Sequence, residues 1–234
     1  HKSEECMNMQ ISDLTDKFIR EVREYYGNEF IPLHRPIFDE IEKQYLFDCI
    51  DSNFVSSAGK EVDSFEMQLC DITSSKYAKS TVSGTAALHL ALHALGVGSN
   101  DEVLTQRLSF VATANAISYC NAAPIFLDVE PETGTLCPHL LRNFLEKNTK
   151  IDNGGRKNLS TGKNIAACVV MHTFGHPARM QEIKSICDEF TIPLIEDAAE
   201  ALGSYIGEEH VGKNSLLTTY SFNGNKIITT GGGG

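Results

Sequence analysis

Three short segments hold the residues whose types and spacing could do chemistry. The first is Thr81-Val82-Ser83-Gly84-Thr85-Ala86-Ala87, a small glycine-containing turn that opens an Ala/Leu-rich run. Free backbone N–H groups at a helix start, with the Thr85 hydroxyl beside them, form an anion site suited to a phosphate. Ser83 or Thr85 acting as a simple N-cap explains the same residues. The second is Pro193-Leu194-Ile195-Glu196-Asp197-Ala198-Ala199-Glu200, an apolar run that ends in two carboxylates. A carboxylate at such a strand end can pair with a pyridinium nitrogen and keep it protonated, or can cap the following turn. The third is Thr219-Tyr220-Ser221-Phe222-Asn223-Gly224-Asn225-Lys226, where a strand runs out into a glycine-containing turn that presents a lysine. A lysine held between polar and apolar neighbours can form an imine, although a single lysine is ordinarily a solvated surface residue.

The elements around these segments alternate. Strands are expected at 77–82, 102–105, 124–129, 165–171, 193–196 and 217–222. Between them the apolar spacing gives helices at 85–95, 111–119, 138–145 and 180–190. Strands alternating with helices imply crossover connections and an α/β fold with a mainly parallel sheet, helices on both faces. Ligands of such folds bind beyond the carboxyl ends of the strands, where all three segments fall. Ahead of the sheet, Ile11, Leu14, Phe18, Ile19 and Val22 mark an amphipathic helix over 10–26. Further helices are expected after Pro36 and over 62–72. Residues 148–164 are polar and rich in Gly, Asn and Lys, and read as a surface insertion.

Composition narrows the class. The chain has 234 residues, 41% of them hydrophobic, which is enough for a sizeable core. A formal net charge of -11 argues against nucleic acid or an anionic membrane surface as partner. No apolar run approaches the roughly 20 residues of a membrane helix, and the N-terminus lacks a signal-peptide core. A cytoplasmic protein is expected. The seven cysteines are scattered without a Cys-x-x-Cys pair and read as buried free thiols. His172 and His176 have four-residue spacing, but Gly175 and the strand context spoil a helical metal pair, so no metal site is expected. No G-x-G-x-x-G follows the first strand. The chain starts with His1 and stops at Gly231–Gly234 after an apolar run, so a piece of a longer protein is expected.

Together the segments resemble the DegT/DnrJ/EryC1/StrS family of sugar aminotransferases. The matching text is "SGTAALHLALHALGVGSNDEV", "FVATANAI", "APIFLDVEPETGTL", "HTFGHPARM", "IEDAAEALGS" and "SFNGNKIITTGGGG", and the likeness runs from about Ile31 onward. It implies the fold-type I large domain over 61–234, an N-terminal helical segment over 1–60, and a small C-terminal domain outside the chain. It also implies pyridoxal 5′-phosphate as cofactor and a homodimer with shared sites. By the same resemblance Lys226 carries the cofactor as an imine and shuttles the proton, and Asp197 pairs with the pyridine nitrogen. Gly84, Thr85 and Ser221 bind the phosphate, Phe110 stacks on the ring, and Glu200 lies near the phenolic oxygen. The stretch "FIPLHRPIFDEIEKQYLFDCIDSNFVSSAGKEVDSFE" is similar to enzymes that aminate C4 of a nucleotide-linked 4-keto-6-deoxy-N-acetylhexosamine, with glutamate as donor. Ser56, Ser57, Ala58 and Gly59 then border the substrate. A related 3-keto sugar aminotransferase and a non-catalytic remnant are the alternatives. The family's dehydratases carry histidine in place of the lysine, and Lys226 disfavours them.

Overall fold

The computed structural model describes residues 2–32, 34–152 and 154–234, with side chains described from residue 12 onward. The chain divides into two compact units, His1–Ile37 and Phe38–Gly234. The first unit is helix α1, Lys2–Tyr26. It is longer than the periodicity suggests. Leu14, Phe18 and Ile19 lie exposed along it, while Val22 is half-buried and the Ile11 side chain is outside the described residues.

The second unit begins with α2, Glu40–Ser52, and α3, Lys60–Thr73. A capping box fixes the start of α2: Asp39 accepts from Ile41 N at 2.8 Å, and Asp39 N donates to Glu42 at 2.7 Å. The sheet then builds through α4 (Gly84–Ala94), β1 (Asp101–Gln106), α5 (Val111–Tyr119), β2 (Ala123–Leu127) and α6 (Pro138–Asn148). The hairpin β3 (Thr149–Asp152) and β4 (Gly155–Asn158) precedes β5 (Asn164–Met171). Helix α7 (Met180–Glu189), β6 (Leu194–Asp197), the small hairpin β7 (Tyr205–Ile206) and β8 (Glu209–His210), and β9 (Leu217–Thr219) complete the chain's elements.

Strands β2, β1, β5, β6 and β9 lie side by side in that order, all parallel. The chain leaves β1 first for β2 and later returns on the other side of β1 with β5, so the connection direction reverses between β1 and β5. Period-two alternation assigns each strand residue to a face. Val103, Ala167, Val169 and Ile195 join Leu88, Leu92, Ala116 and Ile117 of α4 and α5 on one face. Leu104, Cys168, Val170 and Leu194 join Leu141, Leu145, Ile183 and Ile186 of α6 and α7 on the other. Strand β5 is a continuous apolar run because both of its faces are covered. Each fully buried Leu or Ile here stabilises the fold by roughly 1.5–3 kcal/mol. Helix α3 adds Phe65 and Leu69 to a third cluster with Ala198, Ala201, Val211, Tyr220 and Phe222.

Two expectations are corrected. Residues 77–82 do not form a strand. Most of them border, with β9, a cleft of about 810 Å³. Only Thr81 finds ladder bonds, exchanging N–H···O contacts of 2.7 and 3.0 Å with Gly234. Ser80 instead gives its N–H to Glu66 at 2.9 Å. The segment 148–164 is also more than an irregular insertion. It folds as the β3–β4 hairpin, Asp152 opposite Gly155, and Lys157 of β4 pairs antiparallel with Asn164 at the amino end of β5.

Cys49, Cys70, Cys120, Cys137, Cys168 and Cys187 are free thiols, three of them buried; Cys6 lies outside the described side chains. Among the described residues no helix is long and apolar enough to cross a membrane, and no group of three metal-ligating side chains occurs.

Candidate active site at the carboxyl ends of the parallel strands

Strands β1, β5, β6 and β9 end at Gln106, Met171, Asp197 and Thr219. The polar residues just beyond them meet at one end of the sheet. Asp197 continues the face of Ile195 and so points toward α5. It is 2% exposed, and its Oδ2 accepts a hydrogen bond from Thr113 Oγ1 at 2.7 Å. Its Oδ1 accepts from Ala199 N at 3.3 Å. Burial pushes this carboxyl above the ordinary aspartate range; the bonds from Thr113 and Ala199 and the nearby charge of Lys226 oppose that push. No basic side chain lies within ion-pair distance of Asp197 among the described residues. The carboxylate is therefore buried against neutral donors, with no cation in contact.

Lys226 stands in the turn after Phe222, fastened by its own N–H to Asn223 O at 2.9 Å. Its side chain is 11% exposed and its Nζ donates to Glu200 Oε1 at 3.0 Å. The same Nζ lies 5.6 Å from the centre of the Phe110 ring. Phe110 is the residue that precedes α5, and its N–H donates to Met171 Sδ at 3.4 Å. Helix α5 thus carries both Phe110, beside the lysine, and Thr113, one turn later, on the aspartate.

Gly84 and Ser221 meet directly. A Cβ on Gly84 would stand 2.8 Å from Ser221 Cβ and 3.2 Å from Tyr220 O, so only glycine lets α4 begin this close to the strand end. Ser83 caps the helix, its Oγ accepting from Ala86 N at 3.1 Å. The cap leaves the first-turn N–H groups of Gly84 and Thr85 without an intrahelical partner. Ser83 therefore takes the capping role, and Thr85 follows it inside the first turn.

Lys226, Glu200 and Phe110 thus cluster together, Asp197 joins them through α5, and Gly84 and Ser221 form a second contact at the same end of the sheet. Ser56, Ala58 and Gly59 lie elsewhere, on a mainly apolar cleft of about 290 Å³ between α2 and α3 with Leu46, Ile50 and Phe54. Ser57, in the same loop, is not part of that lining. Sequence reasoning missed Thr113 and Met171. A hydroxyl one turn into the helix that Phe110 precedes was the available signal for the first; nothing in the local sequence marks the second.

Behind the site, His172 and Glu196 form a fully buried pair with Nε2 and Oε2 2.9 Å apart. His172 Nδ1 accepts from Ala178 N at 3.1 Å, so Nε2 carries the proton and donates to Glu196. Burial works against ionisation of Glu196, but the hydrogen bonds from His172 and from Gly212 N outweigh it and hold the carboxyl below the usual glutamate range.

The geometry has counterparts in known proteins. GDP-perosamine synthase of Vibrio cholerae is 37% identical over 204 residues, covering 87% of this chain and 51% of that protein. EpsN of Bacillus subtilis (strain 168), placed by its name among pyridoxal phosphate-dependent aminotransferases, is 41% identical over 204 residues, covering 87% and 50%. An aminotransferase from Psychrobacter cryohalolentis superimposes with a TM-score of 0.75 at 30% identity, covering 88% of this chain and 48% of that one. The chain spans about half the length of the curated relatives it matches. The DegT/DnrJ/EryC1/StrS aminotransferase family matches residues 36–234, which takes in every strand of the sheet and each residue of the Lys226 cluster. On that match this chain belongs to the DegT/DnrJ/EryC1/StrS aminotransferase family.

Proposed function

We propose that the protein binds pyridoxal 5′-phosphate covalently through Lys226 and moves an amino group from glutamate to a keto sugar nucleotide. The observation that carries this reading is the clustering of Lys226, Glu200 and Phe110 beside the buried, cation-free carboxylate of Asp197. The residues fit the cofactor. Asp197 would hold a protonated ring nitrogen, supplying the cation contact that its buried carboxylate lacks. The first turn of α4, with Ser221 pressed against Gly84, would hold the phosphate through Gly84, Thr85 and Ser221. Phe110 would cover the ring, and Glu200 would neighbour its phenolic oxygen. Bound there, the cofactor supplies an electron sink for the carbon that loses or gains the amino group.

The chain's own groups do the rest. Lys226 is the base within reach and moves the proton at Nζ. Glu200 and Phe110 hold that nitrogen in place. Thr113 keeps the Asp197 carboxylate directed inward, and burial of Asp197 excludes water from its charge. Residues 61–234 form the cofactor-binding portion in this reading. The protein works in the cytoplasm as a homodimer, with exposed apolar residues such as Val82, Leu90 and Val111 available for burial against a second copy.

For the acceptor we propose C4 of a UDP-linked 4-keto-6-deoxy-N-acetylglucosamine, with Ser56, Ser57 and Gly59 bordering it. The relatives named GDP-perosamine synthase favour a second reading, a GDP-linked sugar in the same role. One experiment separates these. Borohydride should fix the cofactor on Lys226, identified by peptide mass; fixation on another lysine, or none in a folded sample, sinks the cofactor assignment. Offering UDP-linked and GDP-linked 4-keto and 3-keto sugars, with NMR of the product, then identifies the acceptor. Amination at C3 alone, or turnover of the GDP-linked sugar alone, overturns the UDP-linked C4 assignment and leaves the cofactor chemistry intact.

A further inference from the structure

We propose that His172 and Glu196 are positioning residues that fix where Glu200, and through it Lys226, stands in the site, an inference that rests on the Lys226-centred reading above. Both side chains lie on the face of the sheet opposite Asp197, so neither touches the Lys226 cluster. Both are 0% exposed. His172 nevertheless reaches the site through three directed bonds. Its main-chain N–H donates to Asp197 O at 3.1 Å, its Nδ1 accepts from Ala178 N at 3.1 Å, and its Nε2 donates to Glu196 Oε2 at 2.9 Å. Glu196 Oε2 in turn accepts from Gly212 N at 2.9 Å, while Oε1 is buried with no hydrogen-bond partner among the described residues.

The turn anchored by His172 is not one the chain adopts at ease. Phe174 has φ 52 and ψ 28, a left-handed conformation that costs a bulky residue roughly 1–2 kcal/mol. The turn is closed by Gly175 N to His172 O at 3.1 Å and His176 N to Thr173 O at 3.0 Å. Thr173 is held from outside, donating to Gly134 O and accepting from Gln106 Nε2, both at 2.9 Å. The far side of the turn presses on the site. Gly175 has φ +81, and a Cβ there would stand 2.5 Å from Glu200 O. Ser204 Oγ adds a bond to Gly175 O at 2.8 Å. The main chain of Glu200 is therefore seated on Gly175, while its carboxylate holds Lys226 at 3.0 Å.

The choice of an ionisable pair is informative. A buried acid–imidazole pair adds little net stability over apolar side chains of the same volume, and a bare carboxylate oxygen makes it poorer still. What such a pair supplies is direction: each of its bonds fails if the partner strand end or loop shifts. The imidazole binds Glu196 of β6 on one side and Ala178 N on the other, so the 172–178 turn that seats Glu200 is held to the end of β6 across one ring.

The test uses the full chain titrated with pyridoxal 5′-phosphate, following the visible band of the lysine-bound cofactor, with thermal melting and amide hydrogen exchange measured without cofactor. His172→Phe, a ring of similar size without the two side-chain bonds, should weaken apparent affinity about tenfold, displace the band maximum and speed exchange of the 201–204 amides. His172→Gln, which keeps a donor toward Glu196, should recover most of the loss. Gly175→Ala pushes on Glu200 from the other side without touching the buried pair, and should displace the band in the same way. Wild-type affinity, band and exchange in His172→Phe overturn the inference, whatever Gly175→Ala does. If His172→Phe fails to fold, Glu196→Gln, which keeps the volume and removes the charge of the pair, decides in its place: a displaced band and faster 201–204 exchange support the inference, and wild-type behaviour overturns it. If the wild-type chain forms no band, the Lys226 reading has failed, and amide exchange at 201–204 still decides whether His172 positions this segment.

Discussion

The Lys226 end of the sheet and the α2–α3 corner are built on opposite principles. At the sheet, bonds join residues far apart in sequence: Thr113 to Asp197, Glu200 to Lys226, and His172 to Glu196. Asp197, Thr113, His172 and Glu196 are themselves buried. Around Ser56 and Gly59 the bonds are local, Phe54 N to Ser52 Oγ at 3.5 Å and Ala58 N to Ser56 Oγ at 3.4 Å. Helix α2 buries none of its residues, and Ile41, Leu46 and Ile50 stay more than half exposed. The difference separates two tasks. A cofactor site needs atoms held to a fraction of an ångström, whereas a surface that receives varied sugars needs only the right chemistry nearby.

The comparison breaks most visibly at Lys226. Lys226→Ala should abolish borohydride fixation and lower turnover by roughly 10²–10⁴-fold, with the melting temperature little changed. Retained fixation would move the site elsewhere. Asp197→Asn comes next, with turnover down roughly 10²–10³-fold while the circular dichroism spectrum is unchanged. Because burial makes Asp197 a weaker acid in the folded state than in the unfolded chain, its ionised form opposes folding, and that opposition grows as pH rises through the folded value. The cofactor-free Asp197→Asn protein should therefore melt no lower than wild type at neutral pH. A marked drop would mean that the carboxylate is structural.

Gly84→Ala probes the phosphate end. The added methyl meets Ser221 Cβ at 2.8 Å, and overpacking of that kind destabilises by about 1–3 kcal/mol. Cofactor affinity should fall with it, and a variant that binds like wild type would detach Gly84 from the site. Glu196 gives the pH arm. Its folded-state value is depressed, so its contribution is full above the ordinary glutamate range and is lost as pH falls through the folded value. Glu196→Gln should flatten the acid limb of the melting curve; an unchanged limb would exclude the pair from acid stability. The smallest effect belongs to Ser56→Ala, within about 0.5 kcal/mol of wild-type stability, with any change confined to KM for the sugar nucleotide. A large stability loss there would erase the contrast between the two regions.

Much of the sheet was legible because the chain states its periods openly. The run Asn164–Met171 can only be a strand covered on both faces, and Leu194–Asp197 is apolar until two carboxylates end it. Helix α7 shows Met180, Ile183, Ile186 and Cys187 on one stripe, and all four are buried. What stayed hidden depends on neighbours. Residues 77–82 lead into the turn before α4 as a strand would, yet their sequence does not say whether a partner stands beside them, and along most of the segment a cleft lies there instead. The strands β3 and β4 were obscured by their polarity; the Asn-Gly at 153–154 was the hairpin signal to weigh against it. In the candidate site, the lysine and aspartate announce themselves by falling just past strand ends. Thr113 had only its place one turn after Phe110 to mark it, and Met171 matters only through Phe110, far away in sequence, so nothing local reveals it.

The β3–β4 hairpin attaches at Asn164, the amino end of β5, whereas the Lys226 cluster gathers at the carboxyl ends. The length of β5 lies between the two, and among the described residues a single ladder pair, Lys157 with Asn164, joins the hairpin to it. This makes the hairpin tip a natural port for modification. An epitope or fluorescent label inserted between Gly154 and Gly155 would ride on the far pole of the domain and report on the protein's whereabouts and assembly without entering its chemistry.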